Sequence, residues 1–568
     1  MIEQIKIEVR QAVKELHSLE DISFSVDFPS DMQFGDYACN VAMILAKQLK
    51  KNPKDIANDL TGYIKVHSPQ NFTSTFSKIE TVGGFINFTV SSLNLWNIVQ
   101  QGQKAVLTSS GKGKKITVEY GQPNTHKLPH IGHLFSYLVG ESLARLLEST
   151  GNTVTRANYQ GDIGPHVSKS LYGYIQVGQP KPETLLEKVQ LLQKCYQEGT
   201  KAYEEDPLAK ETIDAITKKL YTKDPEIFEM WKETRQWSID YYFALEKRLN
   251  VQQIYHYMES EIWNIGKEIV EKNIGTIFES SDGAIIFAGE KYGLHTRVFL
   301  TKNNTPTYEA KDMGLNIQKY QDLPYDLNLI TTASEQNAYF DVMIKALELC
   351  WPELVGKTKH IGFGMVSMST GKMSSRTGQI LSAVDLIEAV KQRVVEVMKD
   401  REGLTAEEKE SITEKVTMGA IKFAFLRQNV LQNMKFDLEE SIKFEGRSGP
   451  YLQYTYARIQ SILKQLDLPE ATSKDGEQLT KQEELYLMRW ITRFPSILSQ
   501  AAEALSPHII AEFVYQSAQL FNSFYAQCPI NAEKNKELQR ARRTLAVKTA
   551  AVIKEGLGLL GIEVVAKM

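Results

Sequence analysis

Two histidines three positions apart, His130 and His133, are the residues whose types and spacing most directly suggest chemistry. At the start of a helix this spacing places both side chains on one side. Their ring N–H groups can then follow charge onto an α-phosphate as it becomes pentacoordinate. Gly132, between them, has no side chain, so a flat base such as adenine can lie against the helix. The same tetrapeptide is also compatible with helix-capping or core histidines.

A second segment suited to phosphates lies far downstream, where Lys372-Met-Ser-Ser375 is followed by Arg376. A lysine on a glycine-flanked loop can swing onto the β- and γ-phosphates of ATP and neutralise charge on the pyrophosphate leaving group. We predict that Lys372, Ser374 and Ser375 bind ATP together with Gly132 and the two histidines. Taken alone, the segment is more typical of a solvated turn.

The sequence patterns on either side of the two histidines predict their position relative to a strand and a helix. Residues 116–120 form a strand pattern, an amphipathic helix pattern runs from Leu134 to Leu147, and residues 154–159 form a second strand pattern. This order predicts a βαβ unit with a parallel sheet. The histidines then fall at a helix N-terminus outside the carboxyl end of a strand, where phosphates bind in open α/β sheets. Further strand patterns occupy residues 283–287, 297–300, 327–331 and 360–363.

The whole chain is predicted to be a multidomain α/β protein. Residues 1–107 form a small α+β domain. Residues 108–115, rich in Gly, Ser and Lys, are too polar to pack and begin the next domain as a linker. Residues 108–440 form a Rossmann-like parallel-sheet catalytic domain with a helical insertion at about 180–273. Residues 441–568 form an all-α helical bundle.

Composition argues against several classes of protein. At 568 residues the chain is too long for one hydrophobic core. Its net charge of −3 argues against a protein held to nucleic acid by bulk charge, although a local basic groove is allowed. The cysteines stand too far apart for a disulfide framework or a zinc cluster. Residues 1–19 alternate apolar and charged positions, which predicts an amphipathic helix instead of a secretory signal. We therefore expect a cytoplasmic protein without membrane contact, because no apolar run is long enough to span a bilayer.

A pocket for a cation is suggested by Glu119, Tyr308 and Asp312. Glu119 lies on the strand before the histidines, and Tyr308 and Asp312 are one helical turn apart and can face one pocket. Two carboxylates and a phenol suit a planar guanidinium, because each carboxylate can accept two of its N–H groups. Alternatively, Glu119 caps a sheet edge and Asp312 pairs with Lys311 or another lysine.

With these motifs in this order, the chain resembles class I aminoacyl-tRNA synthetases, and the segment from Glu119 through the histidines resembles the arginyl-tRNA synthetases. The resemblance implies that Glu119, Tyr308 and Asp312 bind the guanidinium and that Asn124 and Gln336 hold the α-groups of arginine. It implies ATP-dependent activation of L-arginine, with Mg²⁺ on the phosphates and no metal held by protein ligands, and transfer to the 3′-terminal ribose of tRNA(Arg). The tRNA is expected to bind before activation.

The resemblance extends over nearly the whole chain. Segments 34–38 and 84–88 resemble the N-terminal domain of that family, which contacts the tRNA elbow, and segments 444–454 and 521–525 resemble its helical anticodon-binding domain. The resemblance implies a monomer whose tRNA-binding residues include Phe85, Asn87, Tyr454, Arg458 and Phe524. Packing of Phe85 in the small domain's core is an alternative, and the basic cluster at residues 534–548 is also explained as a solvated helix face.

Two departures from the family pattern affect the predicted site. Gly121 and Gln122 stand where small serines are usual, which leaves a contact to the substrate amino group open. Ser375 stands where many class I enzymes have a second lysine. We predict that Lys127 shares the phosphate contacts with Lys372, although Arg376 could also supply the charge. The predicted catalytic residues are therefore His130, His133, Lys127 and Lys372.

Three rival functions remain open at this point. One rival is another class I synthetase. The cysteine enzyme would need zinc ligands clustered near the pocket, and the glutamine enzyme would not need two carboxylates in it. A non-enzymatic tRNA-binding paralogue could lose the two histidines and Lys372 freely, yet all three are present. A small nucleotidyltransferase shares the histidine signature but has no place for the long helical tail.

Overall fold

The computed structural model describes residues 1–101, 113–252, 254–369, 382–399, 401, 403–466 and 468–568. The predicted phosphate-loop residues Lys372, Ser374, Ser375 and Arg376 and most of the predicted linker lie outside these ranges. The chain forms two compact units. The first unit comprises Met1–Ala105, Arg458–Pro495 and Gln516–Ile553. The second unit comprises Val106–Ala457, Ser496–Tyr515 and Lys554–Met568.

Helices make up most of the secondary structure. They are α1 (Ile2–His17), α2 (Val41–Leu49), α3 (Pro53–His67), α4 (Gln70–Thr73), α5 (Ser92–Gln101), α6 (Ile131–Ser149), α7 (Pro165–Gln176), α8 (Leu185–Glu205), α9 (Pro207–Tyr221), α10 (Pro225–Arg248), α11 (Glu259–Lys272), α12 (Tyr308–Asp322), α13 (Asn337–Cys350), α14 (Ala383–Met398), α15 (Ala406–Leu426), α16 (Leu438–Ser441), α17 (Gly449–Lys464), α18 (Ser473–Gly476), α19 (Gln482–Ile491), α20 (Phe494–Glu503), α21 (Pro507–Gln527) and α22 (Lys536–Leu559). The strands are β1 (Val26–Asp27), β2 (Tyr37–Cys39), β3 (Phe76–Val82), β4 (Phe85–Val90), β5 (Lys115–Glu119), β6 (Thr153–Gln160), β7 (Ile254–Met258), β8 (Glu279–Ser281), β9 (Ala284–Phe287), β10 (Arg297–Leu300), β11 (Leu327–Ala333), β12 (Thr358–Phe363), β13 (Val366–Met368) and β14 (Met434–Phe436).

The first unit contains a four-stranded antiparallel sheet of order β1-β2-β4-β3. Helix α1 buries Ile5, Val9 and Val13 in the same core as the sheet, while its charged positions stay outside. This three-to-four residue spacing is what an amphipathic helix requires. The predicted N-terminal amphipathic helix and the strand near residues 84–90 are confirmed.

The second unit is built around a five-stranded parallel sheet of order β12-β11-β5-β6-β7. Strand β5 is therefore central, and Ile116 and Val118 on it are buried. Parallel sheets are covered on both faces, which explains the apolar runs seen in the sequence. The predicted Rossmann-like parallel sheet is confirmed. The carboxyl ends of β5, β6 and β11 meet at one edge of the sheet, where the predicted site residues follow.

The predicted helical insertion at residues 180–273 is interrupted by a strand. Helices α8, α9 and α10 fill its first part, but β7 (Ile254–Met258) pairs in parallel with β6 and is an edge strand of the main sheet. The prediction of an uninterrupted helical region is wrong there. Strand β7 is short and lies between the long helices α10 and α11, so the helical pattern on both sides obscures its Ile, Tyr and Met residues.

After β13 the described chain is almost wholly helical to its end, as the sequence predicts, apart from β14, which pairs in parallel with β13. Within the described ranges, every helix is too short or too polar to pass through a bilayer.

Candidate active site

Glu119 is the last residue of the central strand β5, and its side chain is almost completely buried. Lys319 of α12 donates a hydrogen bond to one carboxylate oxygen, and Gln122 Nε2 donates to the other at 2.9 Å. Because β5 is the central strand, Glu119 does not lie on an edge strand of the sheet. Because each carboxylate oxygen has two lone pairs, these two donors fix the orientation of the group and leave acceptor capacity on both oxygens.

The turn after β5 explains how Gln122 reaches Glu119. Gly121 has φ 89°, and a Cβ atom there would stand 2.7 Å from the Tyr137 ring, so only glycine fits. Gln122 also has a positive φ of 53°, and its backbone N–H donates to Asn158 Oδ1 at 2.9 Å. The departure from small serines thus gives the turn a side chain that folds back onto the predicted guanidinium-binding carboxylate.

Asp312 on α12 is the second predicted carboxylate of the pocket. Tyr339 Oη donates to Asp312 Oδ2 at 2.5 Å, whereas Lys311 forms a buried ion pair with Glu259 and not with Asp312. Burial and the nearby charge of Glu119 raise the pKa of Asp312 to about 7, against the opposing effect of the Tyr339 hydrogen bond. A half-buried carboxyl group with a raised pKa favours a cationic ligand, because the cation would stabilise its ionised form.

The other predicted arginine-binding residues border the same edge of the sheet. Tyr308 is the first residue of α12 and is 63% exposed. Gln336 is exposed and ends the short 3₁₀ turn that follows β11. Asn124 is partly exposed, and its Oδ1 stands 2.2 Å from where a Cβ on Gly161 would lie, which requires glycine there. Asn124 and Gln336 thus follow the carboxyl ends of β5 and β11, and Tyr308 lies one helical turn before Asp312 on α12.

The two histidines form a reciprocal cap at the N-terminus of α6. His130 Nδ1 accepts the N–H of Gly132 at 3.0 Å, and His133 Nδ1 accepts the N–H of His130 at 3.1 Å. Capping consumes Nδ1, so each neutral ring carries its proton on Nε2 as a free donor. The helix-capping alternative is therefore compatible with phosphate binding. A Cβ on Gly132 would stand 2.8 Å from the His130 ring, so this glycine also makes the cap possible.

The charge state of the histidines is controlled by burial and by Lys127. Burial lowers the pKa of His130 and lowers that of His133 well below its ordinary value, and the Lys127 cation adds to both shifts. Lys127 Nζ lies 4.1 Å from the ring centroid of Tyr196. The structure thus brings Lys127 beside the two histidines, whereas Lys372, Ser374 and Ser375 are not among the described residues.

The predicted tRNA-binding residues have unequal access to solvent. Phe85 is 37% exposed and does not belong to the small domain's core, whereas Asn87 is buried with its Oδ1 lacking a hydrogen-bond partner among the described residues. Tyr454 is partly exposed, and Arg458 is exposed. The expectation that Phe524 contacts tRNA is wrong, because its ring is completely buried on the inner side of α21.

Tyr525, the next residue of the same helix, is partly exposed, and the Arg458 guanidinium lies 5.1 Å from its ring centroid. Neighbouring positions on a helix point about 100° apart. Of these two aromatic rings, Tyr525 therefore reaches the surface and Phe524 does not.

The basic cluster at residues 534–548 is partly structural. Arg542 is buried and donates to Glu484 at 2.7 Å, and Arg540 pairs with Asp475 at 2.7 Å. The solvated-face explanation is wrong for these two arginines. Their charges hold helices of the first unit together and are not free for phosphates.

Two functional neighbours of the pocket were missed from the sequence. Lys319 is seven residues after Asp312, which is two helical turns and the same face, so helical spacing contained a signal for it. Tyr339 belongs to α13, after a further strand, and no local pattern connects it to Asp312.

Sequence profiles of known families match almost the entire chain. A profile described as "tRNA synthetases class I (R), catalytic domain" matches residues 94–438. An "Arginyl tRNA synthetase N terminal domain" profile matches residues 3–90, and a "DALR anticodon binding domain" profile matches residues 452–568.

Individual proteins agree with the profiles. An arginine–tRNA ligase of Phocaeicola vulgatus is 30% identical over 100% of this chain and 99% of its own length. One of Fusobacterium nucleatum is 31% identical over 98% of this chain and 96% of its own length. The Thermus thermophilus arginyl-tRNA synthetase structure shares the fold with a TM-score of 0.82, at 22% identity over 100% of both chains. On this evidence the chain belongs to the arginyl-tRNA synthetase family, the class I arginine–tRNA ligases.

Proposed function

We propose that the enzyme joins L-arginine to tRNA(Arg) in two steps at the carboxyl edge of the parallel sheet. In the first step a carboxylate oxygen of arginine attacks the α-phosphorus of ATP, and pyrophosphate leaves with the bonding electrons. In the second step the 3′-terminal ribose hydroxyl of the tRNA attacks the carbonyl carbon of the adenylate, and AMP leaves. The observation that carries the proposal is that Glu119, buried at the carboxyl end of the central strand β5, lies close enough to the half-buried Asp312 to raise its pKa, while two capped histidines begin the helix that follows β5.

Arginine would be held by its two ends. Glu119 and Asp312 accept the guanidinium N–H groups, Tyr308 contacts the guanidinium from the solvent side, and Asn124 and Gln336 bind the α-groups. A guanidinium satisfied by two carboxylates in a buried site binds far better than an ammonium, because it donates in a planar fork. The reacting carboxylate is thereby aimed at the nucleotide.

The histidines and lysines would act on the triphosphate. The Nε2–H groups of His130 and His133 donate to α-phosphate oxygens whose charge grows in the transition state. Lys127 and Lys372 neutralise the β- and γ-phosphates, with Ser374 and Ser375 as further donors to ATP and Gly132 facing the adenine. Acceleration comes from positioning and charge stabilisation, without a covalent enzyme intermediate.

Mg²⁺ would enter on the ATP phosphates. Among the residues that the structure describes, no group of three or more His, Cys, Asp or Glu side chains is placed to hold a metal ion. Mg²⁺ does not need such a group, since it keeps several waters and binds substrate phosphates in preference to an all-protein cage. When bound there, it neutralises charge on the leaving pyrophosphate.

We further propose a three-domain organisation in which residues 1–107 contact the tRNA elbow, residues 108–440 activate arginine and residues 441–568 bind the anticodon. Phe85 and Asn87 would serve the first contact, and Tyr454 and Arg458 the last. The unpaired Oδ1 of Asn87 supports its role, because a buried polar atom without a partner is costly unless a ligand supplies one. We also propose that the enzyme is a cytoplasmic monomer.

The test of this function is aminoacylation with radiolabelled arginine, ATP and total tRNA. Acid-precipitable counts that require all three components are expected. Pyrophosphate exchange with a panel of amino acids, with tRNA present, checks specificity. Exchange with another amino acid would favour a different class I synthetase, and tRNA binding without aminoacylation would favour a non-enzymatic paralogue.

Replacing Lys127 with alanine should reduce arginine-dependent pyrophosphate exchange severely, by about tenfold or more, because a charge-assisted contact to the phosphates is lost. Lys188→Ala is a suitable control, since Lys188 also lies over an aromatic ring, that of Trp237, but not beside the histidines. Near-normal exchange in Lys127→Ala would reject the shared role with Lys372.

Arginine binding should depend on the ionisation of Asp312. Below its pKa of about 7 the carboxyl is neutral, so the KM for arginine should rise as the pH falls, by roughly tenfold per unit at the limit, and level off above about pH 8. The lowered pKa values of His130 and His133 keep both rings neutral over most of this range. Steady-state KM measurements from about pH 6 to pH 8.5 check this.

The KM for ATP serves as the internal control and should change little over the same range. In Asp312→Asn the KM for arginine should be high and independent of pH. A constant KM for arginine in the unaltered enzyme would contradict the assignment.

A further inference from the structure

Tyr159 on β6 points toward the predicted guanidinium pocket. Residue 157 is paired with Glu119 of β5, and Tyr159 is two positions further along, so it lies on the same face of the sheet as Glu119. Helix α12 covers this face, because Lys319 reaches Glu119 from it. The Oη atom of Tyr159 is buried and has no hydrogen-bond partner among the residues that the structure describes.

The surroundings of this hydroxyl are acidic. Burial, followed by the charges of Glu259, Asp312, Asp162 and Glu119, raises the pKa of Tyr159 well above its ordinary value, so the phenol stays protonated at neutral pH. It is therefore a neutral group with both a donor hydrogen and acceptor lone pairs.

The nearby carboxylates are already engaged by other donors. Asp162 accepts from Ser260 Oγ at 2.7 Å and from Arg235 Nε at 2.6 Å. Asp312 accepts from Tyr339, and Glu259 is in an ion pair. A buried hydroxyl that makes no hydrogen bond in such surroundings is unfavourable for the folded protein. A ligand with several N–H donors would relieve that cost.

We propose that Tyr159 is a specificity residue for arginine, with Oη accepting the guanidinium N–H that the two carboxylates leave free. The inference rests on the proposed function. A guanidinium has five N–H donors in one plane, and two carboxylates each facing a pair of them accept four. The acceptor for the fifth N–H should be uncharged. Lys319 neutralises one of the two carboxylates, and the negative charge of the other is enough for one guanidinium cation.

The test is Tyr159→Phe, measured by arginine-dependent pyrophosphate exchange with tRNA present. The KM for arginine should increase about ten- to a hundredfold, as expected for one lost hydrogen bond to a charged group, while the KM for ATP and kcat change little. Agmatine, which has the guanidinium but no carboxylate, should lose affinity as a competitive inhibitor by the same factor.

Thermal unfolding separates this role from a structural one. Because the hydroxyl is unpaired in the free protein, Tyr159→Phe should have an unchanged or higher Tm. Tyr174→Phe is the matched control: its hydroxyl donates to the Pro180 carbonyl at 3.2 Å, so this variant should lose stability and keep its arginine KM.

Two results would overturn the inference. One is an unchanged arginine KM and agmatine affinity in Tyr159→Phe. The other is a lowered Tm with equal rises in the KM for arginine and for ATP, which would show a structural role. If the unaltered enzyme itself showed no arginine-dependent exchange, the proposed function would fail together with the inference, so the two failures are distinguishable.

Discussion

Replacement of Glu119 by glutamine should raise the KM for arginine sharply in pyrophosphate exchange. The substitution removes a buried, charged acceptor from the guanidinium, a loss of about 2–5 kcal/mol in comparable pairs, which corresponds to a rise of roughly thirtyfold to several thousandfold in the KM for arginine. It also removes the negative charge opposite the buried Lys319 ammonium, whose other hydrogen-bond partner among the described residues is the uncharged Asn328 Oδ1 at 3.3 Å. A lowered free energy of unfolding should accompany the loss, by about 3–5 kcal/mol.

The double variant Glu119→Gln/Lys319→Met separates these two effects. Removing the unpaired ammonium should restore most of the stability, because a buried pair replaced by uncharged groups is often tolerated. Arginine binding should remain weak, because the acceptor is still missing. Denaturant unfolding and the KM for arginine in pyrophosphate exchange measure the two properties. A double variant with a near-normal arginine KM would show that Glu119 serves only to neutralise Lys319.

Replacement of His133 by asparagine should lower kcat for pyrophosphate exchange by about a hundred- to a thousandfold, the usual effect of removing one donor aimed at developing charge. Asparagine can still accept the N–H of His130 and preserve the cap of α6. The KM for arginine should therefore change little, and the Tm should stay close to that of the unaltered enzyme.

His67→Asn is the matched control for this variant. His67 is exposed in the first unit, so the same chemical change there should leave the rate unchanged. A rate for His133→Asn within about fivefold of the unaltered enzyme would mean that His133 is a capping residue without a role in phosphate chemistry.

The strands that could be predicted are those whose residue pattern in the sequence matches their surroundings in the folded sheet. The strand patterns of β5, β6, β11 and β12 could be predicted because each holds several β-branched, aromatic or aliphatic residues near turn signals. Strand β7 holds such residues too, but it lies between the long helices α10 and α11, and the helical pattern on both sides obscures it. Its place in the sheet is decided by pairing with β6, a contact between distant parts of the chain.

The predicted tRNA-binding residues show a similar limit. The sequence places Phe524 in an aromatic segment at residues 521–525, but a helix buries some of its aromatic positions and exposes others. Phe524 is inside, and Tyr525 lies beside Arg458. The identity of the residues was available from the sequence, whereas the rotation of α21 depends on what the helix packs against.

The sequence by itself determined the order of the motifs, the capping pair of histidines and the choice of acidic side chains for the pocket, because each depends on spacing within one element or one turn. Only the tertiary structure decided that Lys319 and Gln122 hold Glu119, that Tyr339 holds Asp312 and that Lys311 is paired elsewhere. These partners come from separate elements, and which donor reaches which carboxylate depends on how the elements pack. The charge balance of a buried site is a property of all its neighbours together.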